Sequence, residues 1–171
     1  GMIISHNDSD HSGGAISVLP ALPVGWLASS LSADSQILAQ ARRVLPCYAG
    51  QSWQWDGVRF DMLHPALESF RDERLKSNDR SCVLKITTRH GSVLLPADAE
   101  QPAEREMLAR KPELLPASVL VAPHHGSKTS SGEDFIAQVH PETVVFTVGY
   151  RNHYGHPTPE ALKLLRDEEI K

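Results

Sequence analysis

The sequence has only two cysteines, Cys47 and Cys82. That is too few for a disulfide scaffold or a cysteine-based zinc site, and it leaves the redox compartment open. No apolar run approaches the ~18 residues of a membrane span, and no basic-then-apolar leader opens the chain. A basic excess is also missing: 17 Lys+Arg against 21 Asp+Glu give a net charge of −4. This argues against broad nonspecific nucleic-acid binding but allows a small, local phosphate site. There is no repeat of fixed period and no low-complexity tract. A hydrophobic share of 40% excludes wholesale disorder, and 171 residues suit a single core, so 1–171 is read as one domain.

Histidine is what the chain has in quantity. Six of its nine histidines form three close pairs: His6/His11, His124/His125 and His153/His156. Gly1 reads as a tag remnant. The first pair arrives after only Met2–Ser5, and the chain stops inside an apparent helix. An excised fragment, truncated at both ends, is the expectation.

Met2–Ser5 reads as the end of a buried strand, His6–Ser12 as a polar loop, and Gly13-Gly14 as the start of a short helix stopped by Pro20 and Pro23. Strands are expected at Val24–Ala28 and Val44–Tyr48, with a helix over Ala33–Arg43 capped by Ser32 or Asp34. Gln51–Trp55 and Val58–Leu63 flank the turn Asp56-Gly57 as a hairpin. His64–Asn78 reads as a loop. Cys82–Thr88 and Ser92–Leu95 form a second hairpin, followed by a helix over Gln101–Arg110 with Pro102 in its first turn. Strand Ser118–Ala122, helix Glu133–Val139, strand Thr143–Val148 and a helix from Glu160 complete a mixed α/β (α+β) layered fold.

His6-Asn7-Asp8-Ser9-Asp10-His11 packs two imidazoles and two carboxylates into six residues, the natural ligand set of borderline divalent ions such as Zn²⁺ or Mn²⁺. A loop at a strand end can wrap all four around metal, whereas an ordered helix would point His6 and His11 apart. The competing reading is a helix cap made by Asp10 or Ser12. Val93–Asp98 is a strand ending in an acid. Ser127, Lys128, Thr129 and Ser130 after His124-His125-Gly126 offer donors suited to phosphate. Of the two histidines, one imidazole can bind metal while the other reaches solvent or a phosphate oxygen. In the last loop Arg151, Asn152, His153 and His156 could grip a phosphodiester or protonate a leaving oxygen, and Tyr150 and Tyr154 could stack on bases.

The pattern His-x-Asp-x-Asp-His with Gly13-Gly14 behind it resembles the metal motif of the metallo-β-lactamase superfamily. Its Asp8 form is similar to the hydrolase-like C-terminal domain of ComEC-type DNA-uptake proteins. Asn78-Asp79-Arg80-Ser81, Pro123–Ser131 and Asn152–Pro157 match the same group. The resemblance implies an αββα sandwich holding two divalent ions, Zn or Mn. His6 and Asp8 would hold one ion and Asp10 and His11 the other, with Asp98 between them and His124 closing the shell. It places Asn78 where many members have another histidine, with His64 as a conceivable substitute, and Pro96-Ala97 where Thr-Gly is usual. It implies phosphodiester cleavage of DNA, single- or double-stranded, with two ions ~3.5–4 Å apart clamping the reacting oxygens. Asp10 is then catalytic, His156 or Lys128 assists, and His125 joins Ser127, Lys128, Thr129, Ser130 and Asn152 in holding substrate. The implied setting is a soluble domain of a cytoplasmic-membrane protein beside its channel. The alternatives are hydrolysis of a lactone, thioester or small phosphodiester, or a metal-free docking module. Truncation before His6 further predicts low metal occupancy and self-association through the exposed strand region.

Overall fold

The computed structural model describes residues 1–72, 74–168 and 170–171. In chain order its elements are β1 (Met2–Ile4), α1 (Ser9–Ser12), α2 (Ala15–Ala21), β2 (Leu27–Ser29), α3 (Gln36–Gln40), β3 (Val44–Pro46), β4 (Ser52–Trp55), β5 (Val58–His64) and α4 (Leu67–Arg71). Then follow β6 (Val83–Thr88), β7 (Gly91–Leu95), α5 (Gln101–Arg110), β8 (Val119–Val121), α6 (Glu133–Val139), β9 (Thr143–Val145) and α7 (Pro159–Asp167). Strands β1, β2 and β3 form a parallel sheet in that order. Strands β4 to β9 form a six-stranded sheet, antiparallel through β7 and parallel from β7 to β9.

Three apolar clusters make this an αββα sandwich. Ile4, Leu27, Leu31 and Ile37 pack with Leu19 and Leu38 between the three-stranded sheet and α2 and α3. Ala28, Met62 and Leu84 pack with Ile3, Trp26, Trp53 and Phe60 between the sheets. Leu94, Leu120, Met107, Phe135 and Ile136 fill the space between the six-stranded sheet and α5 and α6. Truncating a fully buried member such as Phe135 to Ala would cost ~3–5 kcal/mol.

Strong local signals fix several boundaries. Pro102 pre-sets the first turn of α5 and Lys111-Pro112 ends it, so the helix spans the expected residues. Elsewhere the expectations need correcting. Helix α3 is half the expected length, and its cap is Ser35, whose Oγ accepts from the Ile37 N–H (3.3 Å), because Ser32 instead donates to Asp34 (2.5 Å). The segment expected as a loop carries α4 and a 3-10 turn over Asn78–Arg80; position 73 within it, and position 169 of the C-terminal helix segment, lie outside the described residues. Strand β9 stops at Val145 because its partner β8 stops at Val121.

The cysteines are bonded to each other. Cys47 follows β3 and Cys82 precedes β6, and their disulfide spans the two sheets inside the central cluster. Two cysteines make no scaffold, but they do make one cross-link. Among the described residues no helix is long and apolar enough to cross a membrane.

Candidate metal centre

The histidine and aspartate loops leave the carboxyl ends of β1, β7 and β8, the edge at which parallel strands present their sites. After β1, Ser5 is held from two sides: its carbonyl accepts from the Cys82 N–H (3.0 Å) and from Ser30 Oγ (2.6 Å). The Asn7 N–H donates to Ser77 Oγ (3.1 Å). These bonds hold both ends of the loop's first turn.

One helical turn, α1, sits inside the expected loop and does not separate the ligands. The rings of His6 and His11 lie 4.3 Å apart. Asp8 occupies the N-cap position, yet its carboxylate makes no cap bond and lies 3.7 Å from His6 Nε2. Neither Asp10 nor Ser12 caps the following helix α2, whose N-cap position is Gly14 with no side-chain bond. Asp10 lies within α1, and the buried Ser12 hydroxyl donates back to the Asn7 and Asp8 carbonyls. Gly13 is required here, since an added Cβ would stand 2.5 Å from the Ser9 carbonyl oxygen.

Asp98 is the hub. It is 3% exposed, and four imidazole Nε2 atoms surround it. His11 (3.0 Å) and His125 (3.6 Å) approach Oδ1, while His6 (3.7 Å) and His124 (3.8 Å) approach Oδ2. Two ligand groups share this carboxylate: His6, Asp8 and Asp98 in one, and Asp10, His11, His125 and Asp98 in the other, with the donor atoms of each within 4.8 Å of one another. Each could coordinate a divalent ion.

The adjacent histidines are splayed by backbone conformation. His124 (φ 47°) and His125 (φ 57°) are both left-handed, as is Ala97 (φ 51°) immediately before Asp98. The His124 N–H donates to the Ala97 carbonyl (2.9 Å), pinning the two loops together. Behind them Gly126 (φ 82°) has no room for a side chain, because an added Cβ would meet the Phe146 ring at 2.6 Å.

Outer contacts choose the tautomers. His125 Nδ1 lies 2.7 Å from the Thr147 carbonyl, which can only accept, so Nδ1 carries the proton. Its Nε2 then presents a lone pair toward Asp10 Oδ2 at 3.1 Å. His124 Nδ1 lies 3.4 Å from the carboxylate of Glu100 and 3.3 Å from Thr129 Oγ1, which likewise frees its Nε2. Asn78 Nδ2 reaches the same Glu100 oxygen at 3.5 Å, so Asn78 supports His124 through Glu100. His64 is elsewhere employed: it is fully buried, its Nδ1 donates to the Ser81 carbonyl (2.9 Å), and its Nε2 lies 3.6 Å from Glu106.

Burial disfavours charge on Asp98, but His11, and then His125 and His6, outweigh it and hold the carboxyl below its usual value. Burial also opposes charge on His11, yet Asp98, then Asp10 and Asp8, raise its pKa. His6 is lowered, by burial first and by His11 second. Its Nε2 is buried without a hydrogen-bond partner among the described residues. Carboxylate oxygens of Asp10 and Asp98 converging with His125 Nε2, beside an orphaned imidazole nitrogen, are the arrangement a cation completes.

The remaining expected residues divide. His156 and Asn152 join Asp10, His125, Thr147 and Tyr154 around a cleft of about 160 Å³. His156 is lowered by burial and then by His124 and His125. The Asn152 amide braces its own loop, donating to the His156 carbonyl (2.7 Å) and accepting from the His156 N–H (3.0 Å). Lys128 and Thr129 are exposed, whereas Ser127 and Ser130 are buried, and Ser130 donates to the Pro123 and Ser127 carbonyls. Glu100 and Thr147 carry no motif signal, and sequence reasoning passes over both.

The Metallo-beta-lactamase superfamily matches residues 1–148. The chain belongs to this superfamily. Within the family it is 36% identical over 158 residues to the uncharacterized protein YcaI of Escherichia coli, covering 92% of this chain and 19% of that one. It is 34% identical over 170 residues to competence protein ComA of Neisseria gonorrhoeae, covering 99% of this chain and 23% of that one. The chain thus spans about a fifth of the length of these relatives. Among solved structures, the diiron β-hydroxylase CmlA of Streptomyces venezuelae shares the fold, with a TM-score of 0.64, 15% identity, and coverage of 98% of this chain and 41% of CmlA. The family and its two clusters make this a metal-binding hydrolase domain.

Proposed function

We propose that this metal-dependent hydrolase cleaves phosphodiesters, and that DNA is its substrate within a competence pathway. The observation that carries the reading is the Asp98 carboxylate, shared by two His/Asp groups. A divalent ion in each group would supply Lewis-acid activation at phosphorus and neutralise the phosphate's charge. The chain's own residues do the rest. His6, Asp8 and Asp98, with Asp10, His11 and His125, hold the cations. His124 closes one side from Asp98 Oδ2, held by Glu100 and Thr129. Lys128 and Thr129 meet the non-bridging oxygens, and His156, set on the cleft wall, donates a hydrogen bond to the leaving oxygen, which takes its proton from water. Similarity to competence protein ComA supports a role in competence, and the resemblance to ComEC-type proteins supports DNA as substrate and a membrane-attached parent. The buried Cys47–Cys82 bridge supports a domain that matures on the oxidising side of that membrane.

The fold alone equally accommodates a lactone, a thioester or a small phosphodiester. The test is metal-loaded protein assayed on single- and double-stranded DNA, bis(p-nitrophenyl) phosphate, a lactone and a thioester. Metal-dependent DNA cleavage, abolished in Asp98→Asn, is expected. Hydrolysis of the lactone or thioester with DNA left intact would sink the nuclease reading and keep the hydrolase.

A further inference from the structure

Beside the metal loop lies a second cleft, of about 400 Å³, that the hydrolytic chemistry does not use. One wall is Ser29–Ser32, running on from β2, with Leu45 and Pro46 of β3. The other is Phe70 and Arg71 at the end of α4, with Arg80 from the 3-10 turn. Both walls are tied to the metal loop, one through Ser30 Oγ on the Ser5 carbonyl (2.6 Å) and the other through Ser77 Oγ on the Asn7 N–H (3.1 Å). The cleft and the metal loop therefore share the segments that support them.

The lining has two chemistries. Leu45, Pro46 and Phe70 are apolar, and Tyr48 packs on Phe70 with ring centroids 6.4 Å apart. Arg71 is exposed, and Arg80 Nε is buried without a hydrogen-bond partner among the described residues. Asp72, which follows Arg71 in the chain, is engaged by Arg74 at 2.8 Å. A buried guanidinium N–H without an acceptor favours an anion. An apolar wall beside it favours a flat ring, the pairing used for single strands. The volume sits at the small end of the ~300–1,000 Å³ range of ligand sites, which suits one nucleotide.

We propose that this cleft binds one nucleotide of a single strand, with its phosphate on Arg71 and Arg80 and its base against Phe70 and Pro46, next to the phosphodiester held at the metals. The inference rests on the phosphodiester reading and names the strand form that the site takes.

The test uses the 171-residue chain in EDTA, so that binding is read without cleavage. Amide chemical shifts are followed during titration with thymidine monophosphate and, separately, inorganic phosphate. A labelled oligothymidylate is followed by anisotropy for wild type, Arg71→Ala and Arg80→Gln. Thymidine monophosphate should perturb Leu45, Phe70 and Arg71 more strongly than inorganic phosphate does. Each variant should weaken oligonucleotide binding about tenfold, the loss of one charge-assisted contact. Arg71 is exposed, so its variant remains informative if Arg80→Gln fails to fold. Equal responses to phosphate and nucleotide, perturbations confined to the His6–His11 and His124-His125 loops, or unchanged affinity in Arg71→Ala would overturn the inference. Binding in the cleft without DNA cleavage would leave it standing and count against the nuclease alone.

Discussion

Thr147 decides which nitrogen of His125 faces the metal centre. Its carbonyl oxygen sits 2.7 Å from His125 Nδ1 and holds the proton there, so Nε2 turns its lone pair to Asp10 and Asp98. His124 gets the same service from Glu100, but at 3.4 Å and against the other oxygen of Asp98. The family resemblance favours His124 as the ligand, whereas the geometry groups His125 with Asp10 and His11.

The two alanine variants should therefore differ. His125→Ala should lower the bound metal by about one equivalent. His124→Ala should keep the stoichiometry and weaken affinity ~10–100-fold, as the loss of a supporting contact does. Elemental analysis with competitive chelator titration decides it, and the reverse order would return the ligand role to His124.

Ala97 offers a gain in stability. Its φ of 51° is left-handed, a conformation that costs an L-residue ~1–2 kcal/mol and glycine almost nothing. After allowance for glycine's looser unfolded chain, Ala97→Gly should stabilise by ~0.5–1 kcal/mol. Urea denaturation measures this, and a lower midpoint would mean that the turn is not strained.

Glu104 makes stability fall toward alkaline pH. It is 1% exposed on α5 and accepts from the Ser131 and Gly132 N–H groups at 2.6 and 2.9 Å, yet burial outweighs these bonds and pushes its pKa up to about 7. A raised carboxyl stabilises fully below its unfolded value of 4.5 and loses that contribution as pH rises through about 7. The loss is about 3 kcal/mol. Urea melts at pH 5 and pH 8 in EDTA should show a wild-type decline that Glu104→Gln flattens, and parallel declines in both proteins would remove Glu104 as the cause.

Among the described residues strand β1 pairs with β2 alone, which leaves a row of backbone groups open to a second copy. Light scattering should show concentration-dependent association. A monomer across the range would show the edge to be protected.

What the sequence made legible was whatever has a local cause. Pro102 and Lys111-Pro112 bound α5 without help from elsewhere, and the His/Asp spacing marks the first ligand loop before any fold is known. The cap of α3 depended on Ser32 being drawn to Asp34, a competition between neighbours of the same kind. Three features had no local cause at all. The Cys47–Cys82 pairing joins residues 35 apart. The splay of His124 and His125 depends on two left-handed residues packed against Ala97. Glu100 supports His124 only because α5 begins where it does.

The disulfide and the metal centre span the same seam. His6 to His11 hang from the three-stranded sheet, and Asp98, His124 and His125 from the six-stranded one, while Cys47 and Cys82 fasten those two sheets a short way inside. Closing a separation of 35 residues restricts the unfolded chain by about 4 kcal/mol. It also raises the effective concentration of one half of the ligands around the other. Such coupling is reciprocal. Metal should slow reduction of the bridge, and Cys47→Ala with Cys82→Ala should weaken metal binding by the same free energy that metal adds to the bridge. Compared by chelator titration and by thiol-exchange equilibrium, two equal numbers would show that one joint has been riveted twice.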